Sequence, residues 1–109
     1  MEWREPWWST ASQDAKFHSI FHRELKLELG PKHPLFNVPV QMIGRKGDSD
    51  DTLFELLDGS GRVAVVHLTW AQRPEPMPWP GTVLFESLET WAEQCMKPQH
   101  EEFRSLQES

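Results

Sequence analysis

The amino-acid sequence predicts an α+β fold, in which an antiparallel sheet of three to four strands carries an N-terminal helix on one face and is followed by a short C-terminal helix. Two runs of strand-forming residues flank a glycine-rich turn at 58–61, which is typical of a β-hairpin. Apolar residues nearer the N-terminus recur with the 3.6-residue period of a helix. Strands and helices do not alternate along the chain as they do in parallel α/β folds, so we expect an antiparallel sheet. The length of 109 residues predicts a single domain over 1–109.

The first ten residues are rich in tryptophan. Trp3, Trp7 and Trp8 surround Pro6, and three indole rings in an unattached tail would leave a large apolar area in water. We therefore expect this N-terminal segment, residues 1–10, to pack either on its own domain or on a second copy of the chain. The second alternative would make the protein a homodimer through these three tryptophans.

A helix is predicted over residues 12–29. Ser12 is a suitable N-cap, and Asp14 falls in the first turn, where the helix dipole favours an acidic side chain. Gly30-Pro31 supplies the end of the helix, because proline cannot continue it. The apolar side chains of this stretch fall on one helical face: Phe17, Ile20, Phe21 and Leu25.

Residues 35–43 predict the first strand of the sheet. Pro39 has no N–H to donate to a neighbouring strand, so either this strand lies at a sheet edge or it begins only at Val40. Residues 44–51 combine glycine with several charged side chains and are expected to form a loop.

The hairpin is predicted to run from Thr52 to Trp70, with strands at 52–57 and 62–70. Its valines make the second strand the strongest strand signal in the chain. Both faces of that strand are largely apolar, which indicates a central strand that is covered on each side. His67 is the titratable exception in this apolar run.

Proline recurs at alternating positions in residues 73–80, which favours an extended polyproline conformation. Residues 82–85 can form a further short strand. A last helix is predicted to begin after Ser87, acting as the N-cap, and to end near Lys97-Pro98. The polar tail, residues 99–109, is expected to fray or to form only a marginal helical turn.

The composition excludes several classes of protein. The formal net charge is −6, whereas affinity for nucleic acid depends on clustered Lys and Arg, so no nucleic-acid partner is expected. No apolar run approaches the roughly 20 residues of a membrane helix, and the N-terminus lacks the features of a secretory signal. The sequence therefore predicts a cytoplasmic protein without a membrane partner.

No motif predicts a metal site or a cofactor. His18 and His22 are four residues apart on the predicted helix, but no third ligand is marked by its spacing. Asp48, Asp50 and Asp51 lack the glycine that a calcium-binding loop requires at its sixth position. We expect a solvated loop there and imidazoles that flank the apolar stripe of the helix.

No motif predicts a catalytic residue either. The turn Gly59-Ser60-Gly61 leads into a strand, whereas a phosphate-binding loop leads into a helix. Cys95 is the only cysteine, so it cannot form an intramolecular disulfide. It lies on the apolar stripe of the last helix, where a thiol normally packs and does not react.

The end of the hairpin and the proline-rich segment supply the candidate partner or ligand surface. Trp and Arg are the residues that most often anchor protein interfaces, and these residues can gather at one edge of the sheet. The alternative is that Trp79 folds back to cover the core. The candidate residues are His67, Trp70, Arg73 and Trp79.

The run from Leu53 to Trp70 resembles a recurring segment in short, uncharacterised bacterial proteins. In that family a His-Leu-Thr-Trp tetrapeptide is similarly followed by a proline-rich stretch containing Trp-Pro and by a short C-terminal helix. The likeness covers residues 35–103. The resemblance implies a bacterial cytosolic setting and transfers no activity and no site residue.

Together these features favour a small non-enzymatic cytosolic protein that binds another protein, such as an accessory or immunity-type factor. The high tryptophan content, the excess of acidic residues near the C-terminus and the lack of a catalytic motif motivate this hypothesis. The alternative is a small hydrolase or ligand-binding domain that uses His67 in a pocket floored by the sheet.

Overall fold

An antiparallel sheet of five strands forms the centre of the computed structural model, which describes residues 1–108. Each strand pairs with the next one along the chain, so the first and last strands form the two edges. The predicted α+β class and antiparallel sheet are confirmed, whereas three to four strands is too few. The strands are β1 (Trp7–Ser9), β2 (Val40–Lys46), β3 (Asp51–Leu56), β4 (Val63–His67) and β5 (Gly81–Phe85).

Helices cover both faces of the sheet. The N-terminal helix α1 (Ala15–Glu28) packs Phe21 and Leu25 against one face, as predicted, whereas Ile20 of the predicted apolar face is 47% exposed. On the other face, Trp91 and Met96 from the C-terminal helices pack against the sheet. Strand β4 contributes alternate side chains to both cores, which confirms that it is a central strand covered on each side.

The tryptophan-rich N-terminal segment packs on its own domain. Residues Trp7–Ser9 pair with β2 and supply the fifth strand. The indole of Trp7 is buried and meets that of Trp91 edge to face, with 5.1 Å between ring centroids. The ring centroids of Trp8 and Phe17 are 6.1 Å apart. The structure thus corresponds to the first of the two alternatives, and a homodimer through Trp3, Trp7 and Trp8 stays a prediction.

Helix α1 begins three residues later than predicted. The N-cap is Asp14, whose Oδ1 accepts a hydrogen bond of 2.8 Å from the N–H of Phe17. Ser12 is not the cap because the residues around it form a turn, closed by the N–H of Gln13 bonding to the carbonyl of Thr10. The helix ends before Gly30, as predicted.

Strand β2 begins at Val40, directly after Pro39, which is the second of the alternatives that the proline left open. The strand continues to Lys46, so the predicted boundaries of strand 35–43 and loop 44–51 are wrong. The physical reason is tertiary, because β1 and β3 both pair with Gly44 and Arg45 and hold this charged stretch in the sheet.

The hairpin lies at its predicted place, but its second strand ends at His67 and not at Trp70. Trp70 has a φ of 60°, which takes the backbone out of the sheet. The carboxylate of Glu28 accepts the N–H groups of Thr69 and Trp70, so these donors are satisfied by α1 and not by a strand.

The C-terminal region is helical from Leu88 to Glu108. It consists of α2 (Leu88–Trp91), a π-helical turn (Ala92–Met96) and α3 (Lys97–Glu108). Ser87 is the N-cap, as predicted, and its Oγ accepts a 3.0 Å bond from the N–H of Thr90.

The predicted end of this helix near Lys97-Pro98 is wrong, as is a fraying tail over the described part of 99–109; Ser109 lies outside the described residues. Pro98 follows directly after the π-helical turn, in which the N–H of Lys97 bonds to the carbonyl of Ala92, five residues before it. The regular pattern of bonds four residues apart, which a proline would interrupt, is therefore already replaced at this point. Gln99 also accepts a hydrogen bond from the indole of Trp7, and His100 bonds to the carbonyl of Glu5.

The proline-rich segment does not adopt the extended conformation that its sequence predicts. It contains a turn in which the N–H of Trp79 bonds to the carbonyl of Pro76 at 3.0 Å. The short strand predicted at 82–85 is confirmed as β5, which begins at Gly81. Within residues 1–108 no helix has both the length and the apolar character needed to cross a membrane.

Candidate interaction surface

Strand β5 is an open edge of the sheet. Among residues 1–108, only β4 pairs with it, so the backbone groups on its outer side face away from the sheet. Val83 is 56% exposed on one face and Leu84 is 38% exposed on the other. The strand carries no charged residue and no proline, whereas the edges of natural sheets are usually protected by such residues.

Trp79 lies beside the beginning of this strand. Its side chain is 47% exposed, and its ring atoms come within 3.6 Å of the position that a Cβ on Gly81 would occupy. The glycine therefore provides the space in which the indole lies against the strand. We call Trp79, Val83, Leu84 and the outer edge of β5 the β5 surface.

His67 lies at the end of β4, opposite Gly81 in the sheet register. The side chain is 51% exposed and donates from Nδ1 to Oδ1 of Asp51, the residue opposite it on β3, at 2.8 Å. The structure thus shows an exposed imidazole that joins two strands at the surface.

Trp70 and Arg73 belong to a different part of the surface. The ring of Trp70 meets that of Phe21 on α1 edge to face, at 5.4 Å. Trp79 lies on the face that carries His67, so the sheet separates the two tryptophans. Arg73 is exposed in the loop that follows Trp70. The structure does not bring the four predicted residues together. His67 and Trp79 lie on the same face of the sheet, beside Gly81 at the start of β5.

Two carboxylates of α1 hold the loop that contains Trp70. Glu28 accepts bonds from the N–H and the hydroxyl of Thr69 and from the N–H of Trp70, at 2.9–3.0 Å. Glu24 accepts the N–H of Gln72 at 3.0 Å. Burial raises the pKa of Glu28, with a further contribution from the neighbouring Glu24. The carboxylates therefore act as caps for backbone donors.

The two histidines of α1 line a cleft of about 860 Å³ between that helix and β2. His18 donates from Nε2 to the carbonyl of Thr10 at 2.8 Å, and Nε2 of His22 accepts the N–H of Met42 at 3.0 Å. Burial, together with the charge of His18, lowers the pKa of His22. Both imidazoles therefore serve the packing of α1 on the sheet.

No group of three or more potential metal ligands occurs among residues 1–108. Cys95 is half-buried in the π-helical turn, and burial raises the pKa of its thiol. The reactive thiolate form is therefore disfavoured at this position.

The sequence did not reveal that β5 is an edge strand with an outer side that is unpaired in the described part of the chain. It also did not reveal that Glu24 and Glu28 accept backbone N–H groups of the loop after β4. The carboxylates could have been found, because they lie at i+3 and i+7 from Phe21, on the apolar face of α1. The position of β5 at a sheet edge has no comparable signal, since its residues suit a covered strand equally well.

Comparison with known proteins adds no identification: no family model matches this chain, and neither do curated proteins or solved structures. The resemblance to the short bacterial proteins with a His-Leu-Thr-Trp strand therefore stays a prediction.

Proposed function

We propose that this chain is a small non-enzymatic cytosolic protein that binds another polypeptide through the β5 surface, in the manner of an accessory or immunity-type factor. The observation that carries the proposal is the unprotected edge of β5, whose exposed side chains are apolar on both faces. An edge strand of this kind offers a row of backbone donors and acceptors to an incoming strand.

The β5 surface combines two sources of binding free energy. An extended segment that adds to the edge gains main-chain hydrogen bonds, and its alternate side chains contact Val83 on one face and Leu84 on the other. Trp79 adds a large exposed indole beside the strand. Tryptophan is among the residues that most often dominate the free energy of protein association.

Site-specific photo-crosslinking tests this proposal in cells. A photoreactive phenylalanine analogue replaces Val83 in one variant and Leu57 in a control variant. Leu57 is 51% exposed and lies in the hairpin connection, away from β5, so the two positions are matched in exposure. We expect position 83 to cross-link a discrete polypeptide and position 57 to give only background. Equal, background-level cross-linking at both positions would show that the proposal is wrong.

Binding to the cross-linked polypeptide is then measured with purified proteins. Val83→Lys places a charge on the edge and is expected to weaken binding at least tenfold, whereas Leu57→Lys should leave it unchanged. Trp79→Ala should weaken it as well, because it removes the exposed indole. Circular dichroism of each variant establishes that the fold is retained.

The ligand-binding alternative has less support. His67 is exposed and bonds to Asp51, and it does not line the 860 Å³ cleft. The imidazoles that do line the cleft, His18 and His22, are hydrogen-bonded to backbone groups. The β5 surface is therefore the better-supported site.

A further inference from the structure

The outer edge of β5 admits one partner whose sequence is already known, namely β5 itself. We propose that two copies of the chain associate through antiparallel pairing of their β5 strands, around a two-fold axis at Val83. The two five-stranded sheets would then form one continuous sheet of ten strands. This inference rests on the proposed function, because it names the polypeptide that occupies the β5 surface.

A two-fold interface requires a surface that is complementary to itself. In the register centred on Val83, Gly81 of one copy lies opposite Phe85 of the other, and Thr82 lies opposite Leu84. Small residues thus face large ones along the strand, and the two Val83 side chains form the central pair. Residues directly opposite each other share a face of an antiparallel sheet, so each exposed apolar side chain of β5 meets an uncharged one.

Charge does not oppose this pairing, although each copy carries a formal net charge of −6. The five residues Gly81–Phe85 are uncharged, and the first charged residue after them is Glu86. The two Glu86 residues would stand six positions apart along the paired strands, which is roughly 20 Å at about 3.4 Å per residue. That separation exceeds the screening length of about 8 Å at physiological ionic strength.

Trp79 gives the pairing an aromatic contact at each end. Its indole lies over Gly81, which is the residue opposite Phe85 of the second copy. The side chain of that Phe85 would therefore approach the indole on the same face of the sheet, where aromatic rings attract each other in offset or edge-to-face arrangements. Pro80, which precedes the strand and has no N–H, limits the pairing to the five residues of β5.

The expected dimer is weak. A pair of five-residue strands with one aromatic contact at each end buries less than the roughly 800 Å² per partner that is typical of stable interfaces. We therefore expect a reversible equilibrium that depends on protein concentration.

Disulfide trapping of the full-length chain tests the register. Val83→Cys in a Cys95→Ala background places two thiols opposite each other, with about 4.5–5.5 Å between Cα atoms, which is within the range for a disulfide. We expect mild oxidation to convert this variant to a covalent dimer. The matched control Leu57→Cys, in the same background, should remain monomeric.

Sedimentation equilibrium of the unmodified chain gives the dissociation constant of the dimer. We expect Val83→Lys to raise this constant at least tenfold and Trp79→Ala to raise it about threefold or more, while Leu57→Lys leaves it unchanged. A chain that stays monomeric at all concentrations would overturn the inference. So would a dimer in which the thiol of Val83→Cys cross-links no faster than the thiol of Leu57→Cys.

Two results separate this inference from the proposed function. If photo-crosslinking at position 83 captures a different polypeptide while the purified chain is monomeric, the proposed function holds and the homodimer is wrong. If position 83 cross-links neither a second copy nor another polypeptide, both are wrong.

Discussion

Removal of the Glu28 carboxylate should destabilise the fold more than loss of any exposed acidic side chain. Glu28 is fully buried and accepts the N–H groups of Thr69 and Trp70, each at 2.9 Å. In Glu28→Ala both donors lose their acceptor, and a hydrogen bond to a charged group contributes about 1.5–3 kcal/mol. Part of this cost is offset, because the variant no longer has to keep the carboxylate of Glu28 out of water. We therefore expect the free energy of unfolding to fall by about 3 kcal/mol, which lowers Tm by about 12 °C for a chain of this size.

Two comparisons make the reasoning testable. Glu24→Ala removes the acceptor of one backbone N–H, that of Gln72, so its cost should be roughly half as large. Glu102→Ala, on the exposed side of α3, should change stability by no more than about 0.5 kcal/mol. Urea denaturation followed by tryptophan fluorescence gives the three values, and amide hydrogen exchange at Thr69 and Trp70 reports whether the loop opens.

The pH dependence adds a second readout. The pKa of Glu28 is raised above its usual value of 4.5, first by burial and then by Glu24. Between 4.5 and the folded-state pKa the folded chain holds a proton that the unfolded chain has released, so the stability contributed by Glu28 falls as pH rises through this window. The cost of Glu28→Ala should therefore be larger at pH 4.5 than at pH 7. A cost below 1 kcal/mol at both pH values, or one no larger than that of Glu24→Ala, would refute the reasoning.

Two further predictions concern α1. Asp14→Ala should cost about 1 kcal/mol in urea denaturation because it removes the N-cap bond to Phe17, and an equal cost for Ser12→Ala would contradict the assignment of the cap. The pKa of His22 is lowered, mainly by burial. Below about pH 6.5 the unfolded chain therefore binds a proton at His22 that the folded chain does not yet bind. The stability contributed by His22 should consequently fall as pH drops below 6.5, by up to about 1.4 kcal/mol per pH unit. His22→Gln should reduce this slope between pH 7.5 and 5.5, and an unchanged slope would show that His22 is not its source.

The local parts of the fold followed from the sequence because their causes are local. The apolar period that includes Phe21 and Leu25 specifies a helix, and the glycine turn at 58–61 specifies a hairpin. Pro39 limited the start of β2 to Val40 through its missing N–H, and Ser87 capped the last helix as predicted. Each of these signals depends on residues within a few positions of one another.

The errors in element boundaries have non-local causes. The tryptophan-rich segment is a strand only because β2 is present to pair with Trp7–Ser9. The helix continues past Pro98 because the π-helical turn and the contact between Trp7 and Gln99 accommodate it. β4 ends at His67, and the backbone donors of Thr69 and Trp70 beyond it bond to Glu28, which is far away along the chain.

The candidate site was predicted in part for the same reason. Chemical type marked His67, Trp70, Arg73 and Trp79 as interface-forming residues, but whether they meet depends on which face of the sheet each one occupies. Trp70 packs on α1, and Trp79 lies over Gly81 on the opposite face. The edge position of β5 emerged only from the strand order.

The sequence by itself determined the class of the fold, the hairpin, α1 and the central, doubly covered character of β4, since periodicity, turn residues and proline act over short distances. The tertiary structure alone decided that β1 and β5 are the edges of the sheet and that the outer side of β5 is open. An edge strand differs from an interior strand only by the neighbour it lacks, and that neighbour is not encoded in the strand itself.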